Sequence, residues 1–140
     1  MDIAWTAIGD PSLLDFPWLV PVVVHRRDSD EKKKEAIVRY LEQATDGAVL
    51  IGGFISPGER EVAKGVARLP KARIVCLLPY GLKDYKPKGE VVRRLAAGET
   101  LVISGFPESV PSNPISYGNC HLNNRWAEDI AAAVGPGAGR

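Results

Sequence analysis

The chain has 140 residues, 45% of them apolar and 25% charged, with a formal net charge of +1. That length gives one domain with one real hydrophobic core. The near-zero charge excludes a global electrostatic pull toward nucleic acid or a membrane surface, so a nucleic-acid function requires a local patch.

No apolar run approaches the length of a membrane span. The opening MDIAWTAIGD lacks a basic region followed by an apolar core and does not read as a signal peptide. Two cysteines, Cys76 and Cys120, are too few for a disulfide framework, so a reducing cytoplasm is the expected location.

In chain order, Ser12 to Trp18 is expected to form a short cap, with Leu14, Phe16 and Trp18 packed on the sheet end. Leu19 to His25 (LVPVVVH) is β-branched and apolar without alternation, which suits a strand buried on both faces. Asp30 to Ala44 carries Ala36, Ile37, Tyr40, Leu41 and Ala44 at helical spacing, with Asp30 and Glu31 favouring the dipole at its start. Ala48 to Ile51 is the second strand and ends in Gly52-Gly53. Gly58 to Leu69 is the second helix, stopped by Pro70. Arg73 to Leu78 is the third strand, broken by Pro79-Tyr80-Gly81. Gly89 to Ala97 is a third helix with Gly98 as its stop, Thr100 to Ile103 a fourth strand, and Asn123 to Val134 a final helix. This alternation predicts a Rossmann-like three-layer α/β/α sandwich with a mostly parallel sheet, right-handed crossovers and the first strand next to the third. Residues 1–134 form the single domain and 135–140 (GPGAGR) a flexible tail.

A strand, a glycine turn and a helix start in that order is how open α/β sheets build a ligand crevice. The stretch from Asp46 to Arg60 has that order. Ser56 reads as an N-cap, Pro57 suits the first helical position, and Glu59 completes a capping box. Those roles account for the residues without any ligand. A phosphate at this helix start is opposed by Glu59 and Glu61 and needs help from Arg26 or Arg27, which end the first strand at the same sheet edge. Neither GxxxxGK[ST] nor GxGxxG occurs.

Three blocks resemble the Rossmann domain of the DNA-processing protein A (DprA/Smf) family, in the wider group of SLOG nucleotide-binding domains. VVVHRRDS (22–29) is similar to that family's first strand ending in a Ser-Arg pair. IGGFISPGEREVAKG (51–65) is similar to its strand, glycine turn and acidic helix start, with Glu59 where the family has its acidic residue. The span 77–126 resembles a Gly-Leu…Tyr-Pro block, then Ser-x-Phe-Pro, then an Arg-Asn-Arg helix start. Asn124-Arg125 match the last motif, while Asn123 stands where the family has arginine. The family's final strand is missing or replaced by GPGAGR, and its additional domains are absent, so the chain reads as a small stand-alone relative. Single-strand loading and recombinase partnership do not carry over.

The resemblance implies binding of a nucleotide-type ligand or single-stranded DNA, with no established catalysis, no cofactor and no membrane association. The expected ligand-binding residues are Arg26, Arg27, Gly52, Gly53, Ser56 and Gly58, with Glu59, Ser104, Asn124 and Arg125. No catalytic residue and no metal ligand is assigned. A homodimer is expected, because a missing final strand leaves an edge or helix face uncovered. The first alternative is a nucleoside-monophosphate phosphoribohydrolase-like enzyme, but GETLVISGFPES (98–109) lacks the PGGxGTxxE motif that such enzymes carry. The second is a regulatory or structural partner protein with a vestigial crevice.

Several other features read as structural. Cys120-His121 has no Cys-x-x-Cys or His-x-x-x-His partner and reads as a loop cysteine beside a surface histidine. Cys76 reads as an inert strand residue. Lys32-Lys33-Lys34 reads as a solvated face. Asn123 reads as either a helix cap or part of a recognition motif with Arg125.

Overall fold

A computed structural model of the chain describes residues 3–134, so the expected tail at 135–140 lies outside the described residues. The strands are β1 (Thr6–Gly9), β2 (Leu19–Pro21), β3 (Val49–Gly52), β4 (Arg73–Leu78) and β5 (Thr100–Ser104). They form one sheet in the order β1-β5-β4-β3-β2. The four strands from β2 to β5 run parallel, and β1 is antiparallel to β5. The helices are α1 (Asp30–Thr45), α2 (Pro57–Ala67), α3 (Glu90–Ala96) and α4 (Tyr117–Val134). The architecture is thus a Rossmann-like α/β fold with a mostly parallel sheet, as the strand–helix alternation predicts. Among the described residues no helix is long and apolar enough to cross a membrane.

The strand order corrects one expectation. The first parallel strand, β2, pairs only with the second, β3, and lies at the sheet edge. The parallel strands follow one another in sequence, so the sheet is wound in one direction only. Right-handed crossovers that march one way leave their helices on the same face. Consistent with this, α1 packs on α2, and Tyr40, Ala44, Val62 and Val66 share a core with Val22, Val24 and Leu50. The opposite face carries Val49, Ile51, Val75, Leu77, Leu101 and Ile103. It is covered by α4, which returns from the far edge to lie over β2 and β3, and by a 3-10 turn at Pro11–Asp15. The strict alternation along β3 and β4 sorts these side chains between the two cores.

The cap before β2 forms, but its deepest residue is Leu13, which is 2% exposed. Leu14 and Phe16 pack on the α4 side, while Trp18 joins the opposite core. β1 has no counterpart in the sequence reading. The final helix starts at Tyr117 rather than Asn123, and the Ser116 hydroxyl accepts from the Asn119 N–H at its start.

β2 is also shorter than the apolar run that predicts it. The Val22 N–H still reaches the Ile51 carbonyl at 2.8 Å, and the Val49 N–H reaches the Trp18 carbonyl at 3.0 Å. Alternation in a parallel ladder then turns the backbone groups of Leu19, Pro21 and Val23 outward. Pro21 has no N–H to offer. The Tyr40 hydroxyl caps Val23, accepting from its N–H and donating to its carbonyl, each at 3.3 Å. This edge is therefore blunted against pairing with another strand.

On the helix-bearing face, Arg94 of α3 is only 4% exposed. Its guanidinium donates to the Val66, Leu69 and Ala72 carbonyls at 2.7, 2.9 and 2.7 Å and meets Glu99 at 3.4 Å. These carbonyls end α2 and form the turn into β4; Val66 also accepts from the Leu69 N–H at 3.0 Å and Leu69 from the Ala72 N–H at 3.4 Å. Arg94 thus ties α3 to the C-terminus of α2, and its charge suits that end of the dipole. Replacing Arg94 with Met should lower stability by about 3 kcal/mol or more, because the Ala72 carbonyl loses the guanidinium donor and the largely buried Glu99 carboxylate loses its partner. Arg94→Lys should rescue little of this, since one ammonium cannot reproduce the planar fork. Urea unfolding midpoints check both variants.

Candidate functional site

The carboxyl edge of the sheet is open over β2 and β3 and closed over β4 and β5. The closure comes from residues 105–116, which dock on the loop after β4. The Gly81 N–H donates to the Val110 carbonyl at 3.0 Å, the Lys83 N–H to the Glu108 carboxylate at 2.7 Å, and the Ser112 N–H to Asp84 at 3.2 Å. The chain passes so close here that a Cβ on Gly81 would lie 2.6 Å from the Glu108 Cα. Ser104 belongs to this closed half. Fully buried, it donates to the Tyr80 carbonyl at 2.6 Å and accepts from the Phe106 N–H at 3.2 Å.

The open half is a crevice of about 770 Å³. Its first wall is the loop after β2, with His25, Arg26 and Arg27 exposed. The second is the turn from β3 into α2, and the third is the first half of α4.

Two side chains of α2 fix the first wall to the second. Val24 lies beyond the strand ladder, yet it is only 2% exposed. Its N–H donates to Glu59 Oε2 at 3.0 Å, and its carbonyl accepts from the Ser56 hydroxyl at 2.7 Å. Glu59 Oε1 also accepts from the Ile55 N–H at 3.2 Å, and Ser56 Oγ accepts from the Glu59 N–H at 3.3 Å. The Ser56 half of the expected capping box therefore exists, while Glu59 reaches one residue further back, to Ile55, and across to the neighbouring strand end. Gly58 permits this approach, because a Cβ there would lie 2.4 Å from the Val24 Cγ1. Gly52 likewise serves packing: its Cβ would come within 2.9 Å of the Val22 carbonyl oxygen. Gly53 faces the crevice, where a Cβ would make ordinary 3.7 Å contacts. The left-handed residue of the turn is Phe54, with φ 54°, and not a glycine.

The third wall is anchored by two asparagines one helical turn apart. Asn119 Nδ2 donates to the Pro79 carbonyl at 3.0 Å and Asn123 Nδ2 to the Leu77 carbonyl at 3.3 Å. Both carbonyls lie at the C-terminal end of β4. Asn123 is therefore a buried mid-helix residue and not a cap. Its Oδ1 is buried without a partner among the described residues. Leaving such an acceptor unpaired costs roughly 1–3 kcal/mol.

Of the residues singled out in the sequence, Arg26, Arg27, Gly53, Ser56, Glu59 and Asn124 line the crevice. Gly52, Gly58 and Ser104 do not, and Arg125 lines a separate shallow groove of about 480 Å³ between α4 and β2. No ion pair among the described residues involves Arg26, Arg27 or Glu59. Sequence reasoning missed Tyr117, which is 75% exposed at the crevice mouth, and the convergence of His25 with His121, which line both concavities. Cys120 and His121 lie within α4 and not in a loop. Among the described residues no group of three or more His, Cys, Asp or Glu side chains could hold a metal ion.

Fold and crevice together define a Rossmann-like α/β domain open at one half of its carboxyl sheet edge. The fold is DprA-like. The chain superposes on DNA processing protein A from Helicobacter pylori, a structure describing single-stranded DNA binding by that protein, with a TM-score of 0.65 and 24% identity over 90% of this chain and 56% of that one. It superposes on DNA processing protein A from Streptococcus pneumoniae with a TM-score of 0.62 and 18% identity, covering 90% of this chain and 43% of that one. The chain thus spans about half the length of these structures. No protein-family model and no curated protein sequence matches it.

Cys120 reports on this geometry. Its thiol is pushed up by burial first and then by the Glu59 carboxylate, while Arg26 opposes the rise. The thiolate is the reactive form, so alkylation of Cys120 should be slower than that of a free thiol. Arg26→Glu should slow it further. Cys76, pushed up to about 12 by burial, should react more slowly than Cys120. Iodoacetamide labelling followed by peptide mass spectrometry measures both sites. An unchanged Cys120 rate in Arg26→Glu would separate that arginine from the crevice wall.

Proposed function

We propose that the crevice over β2 and β3 binds a nucleotide-type ligand, either free or as one unit of a single nucleic-acid strand. The observation that carries this reading is the placing of two arginines, without an ion pair among the described residues, and the exposed Tyr117 ring around a cavity of nucleotide size. A cationic groove with an aromatic platform is the physical basis of single-strand binding without base readout. The single-stranded DNA binding described for the Helicobacter pylori protein supports the same reading. A reaction is not part of the proposal: both Glu59 oxygens are committed to backbone N–H groups, which leaves that carboxylate poorly placed to move protons.

The test is a titration of labelled oligo(dT) by fluorescence anisotropy, with nucleoside monophosphates as competitors. Arg26→Glu combined with Arg27→Glu should leave the fold intact, because both side chains are exposed. Binding should weaken by roughly 1.5–3 kcal/mol for each charge-assisted hydrogen bond lost, less so at high salt. Unchanged affinity in a folded double variant would place the ligand elsewhere.

A homodimer belongs to the same reading, with its location revised. The blunted β2 edge disfavours pairing there, whereas β1 presents the other sheet edge and is mostly exposed. Light scattering should find a species heavier than the 15.1 kDa chain, and a Pro substitution at Ala7 should reduce it. A monomer at every workable concentration would rule the dimer out.

A further inference from the structure

The crevice differs in charge between rim and interior. Arg26 and Arg27 stand exposed at the rim. Glu59 and Asn123 lie deeper, 5% and 1% exposed. The sense of the Asn123 amide is fixed by its anchor. Turned over, Oδ1 would face the Leu77 carbonyl oxygen, two acceptors with no proton between them. One Nδ2 proton is therefore held by the sheet, and Oδ1 is the atom left without a partner. With both residues lining one crevice, a buried carboxylate and an unpaired carbonyl oxygen disfavour a phosphate in its interior, and the unpaired oxygen suits an incoming N–H. The flanking walls, Val24, Ile55 and Ile115, are apolar and suit a flat ring.

Resting on the crevice as a nucleotide site, we propose that Asn123 determines the orientation and base preference of the ligand. Its free Oδ1 accepts an N–H from the exocyclic amine of a nucleobase seated inward, while the phosphate stays at the arginine rim. Oδ1 is screened from water, so the base displaces no bound water from it. The base reaches it by pressing past the half-buried Cys120, one turn earlier on the same helix face. A ribose hydroxyl is the other donor that a nucleotide carries, and the test separates the two.

The full chain is titrated with labelled oligo(dA), with the same strand in which each adenine exocyclic nitrogen carries two methyl groups, and with oligo(rA). The wild type should bind the unmodified deoxy strand about tenfold more tightly than the methylated one, the ratio expected for one hydrogen bond to a buried acceptor. Asn123→Leu should bring that ratio close to one. Arg26→Glu with Arg27→Glu should weaken both deoxy strands and preserve the ratio. Equal affinity of the wild type for the two deoxy strands overturns the proposal. So does an oligo(rA) advantage that disappears in Asn123→Leu, which would assign Oδ1 to the sugar. Both outcomes leave the crevice reading intact when the arginine reversal still weakens binding. If the reversal affects neither strand, the crevice reading fails and this proposal with it. Should Asn123→Leu not fold for want of a donor to Leu77, the wild type decides alone: the tenfold ratio supports the proposal, and equal affinity for the two deoxy strands or a preference for oligo(rA) overturns it.

Discussion

The carboxylate of Glu59 sets the geometry on which the open edge depends. Two backbone N–H groups, from Val24 and Ile55, converge on it, and Ser56 takes the Val24 carbonyl. Without these side chains the end of the β2 segment would carry buried polar groups with no ladder to satisfy them. With them, the chain can leave the sheet early and still be held against α2. The loop bearing Arg26 and Arg27 is thereby fixed opposite the Gly53 turn. An acidic residue at a helix start that faces a proposed anion site looks contradictory as a matter of charge. Its oxygens are occupied by the backbone, and the helix dipole favours a carboxylate there, so the charge serves the fold while the arginines remain unpaired.

The second constraint is the one-way winding of the sheet. An open α/β sheet usually makes its crevice where the strand order reverses. This sheet has no reversal among its parallel strands. Its cleft comes instead from α4, which crosses back over the bare face and brings its first turns above the ends of β2 and β3. Asn119 and Asn123 set the height of that helix on the end of β4. Trp126 further along packs on Trp5 and Phe106, with ring centroids 5.1 Å apart in each pair. The same helix therefore closes one core and supplies the third wall of the crevice.

Much of this was legible in the sequence wherever burial alone decides structure. The strands β3, β4 and β5 are apolar on both faces, and the helices between them have clear inward stripes. The Ser56 cap on the Glu59 N–H was legible because it is local, whereas the reach of Glu59 to Ile55 and Val24 was not. β1 was not, since Thr6–Gly9 is short, mostly exposed and specified only by its pairing with β5. The start of α4 was hidden by Gly118 and Asn119, which favour turns, although Ser116 carried a capping signal. Strand order depends on how crossovers pack, which no single element encodes. At the site, Arg26, Arg27 and Gly53 were legible as a strand end and a glycine turn. The meeting of His25 with His121, and the burial of Asn123, arise only when α4 returns across the sheet.

The closed half of the edge explains why the candidate surface is narrower than the motifs imply. Ser104 sits at a strand end, where a ligand-binding hydroxyl is plausible on topology alone. In the structure that hydroxyl satisfies the Tyr80 carbonyl and the Phe106 N–H, both stranded where the sheet gives way to loops. The covering segment then needs Gly81 without a side chain and uses Glu108 and Asp84 to accept from the opposing loop backbone. Polar residues at the ends of β4 and β5 are thus consumed in sealing that half against water. Those at the ends of β2 and in α4 are left with unsatisfied capacity: two cationic side chains free of ion pairs and one buried acceptor without a donor. For the buried acceptor, stability alone favours the first arrangement, because an unpaired buried group is a cost, whereas the exposed arginines are satisfied by water. Of the buried polar atoms left without a partner among the described residues, Asn123 Oδ1 is the one that belongs to a crevice-lining residue, and stability alone does not explain an unpaired acceptor at that place.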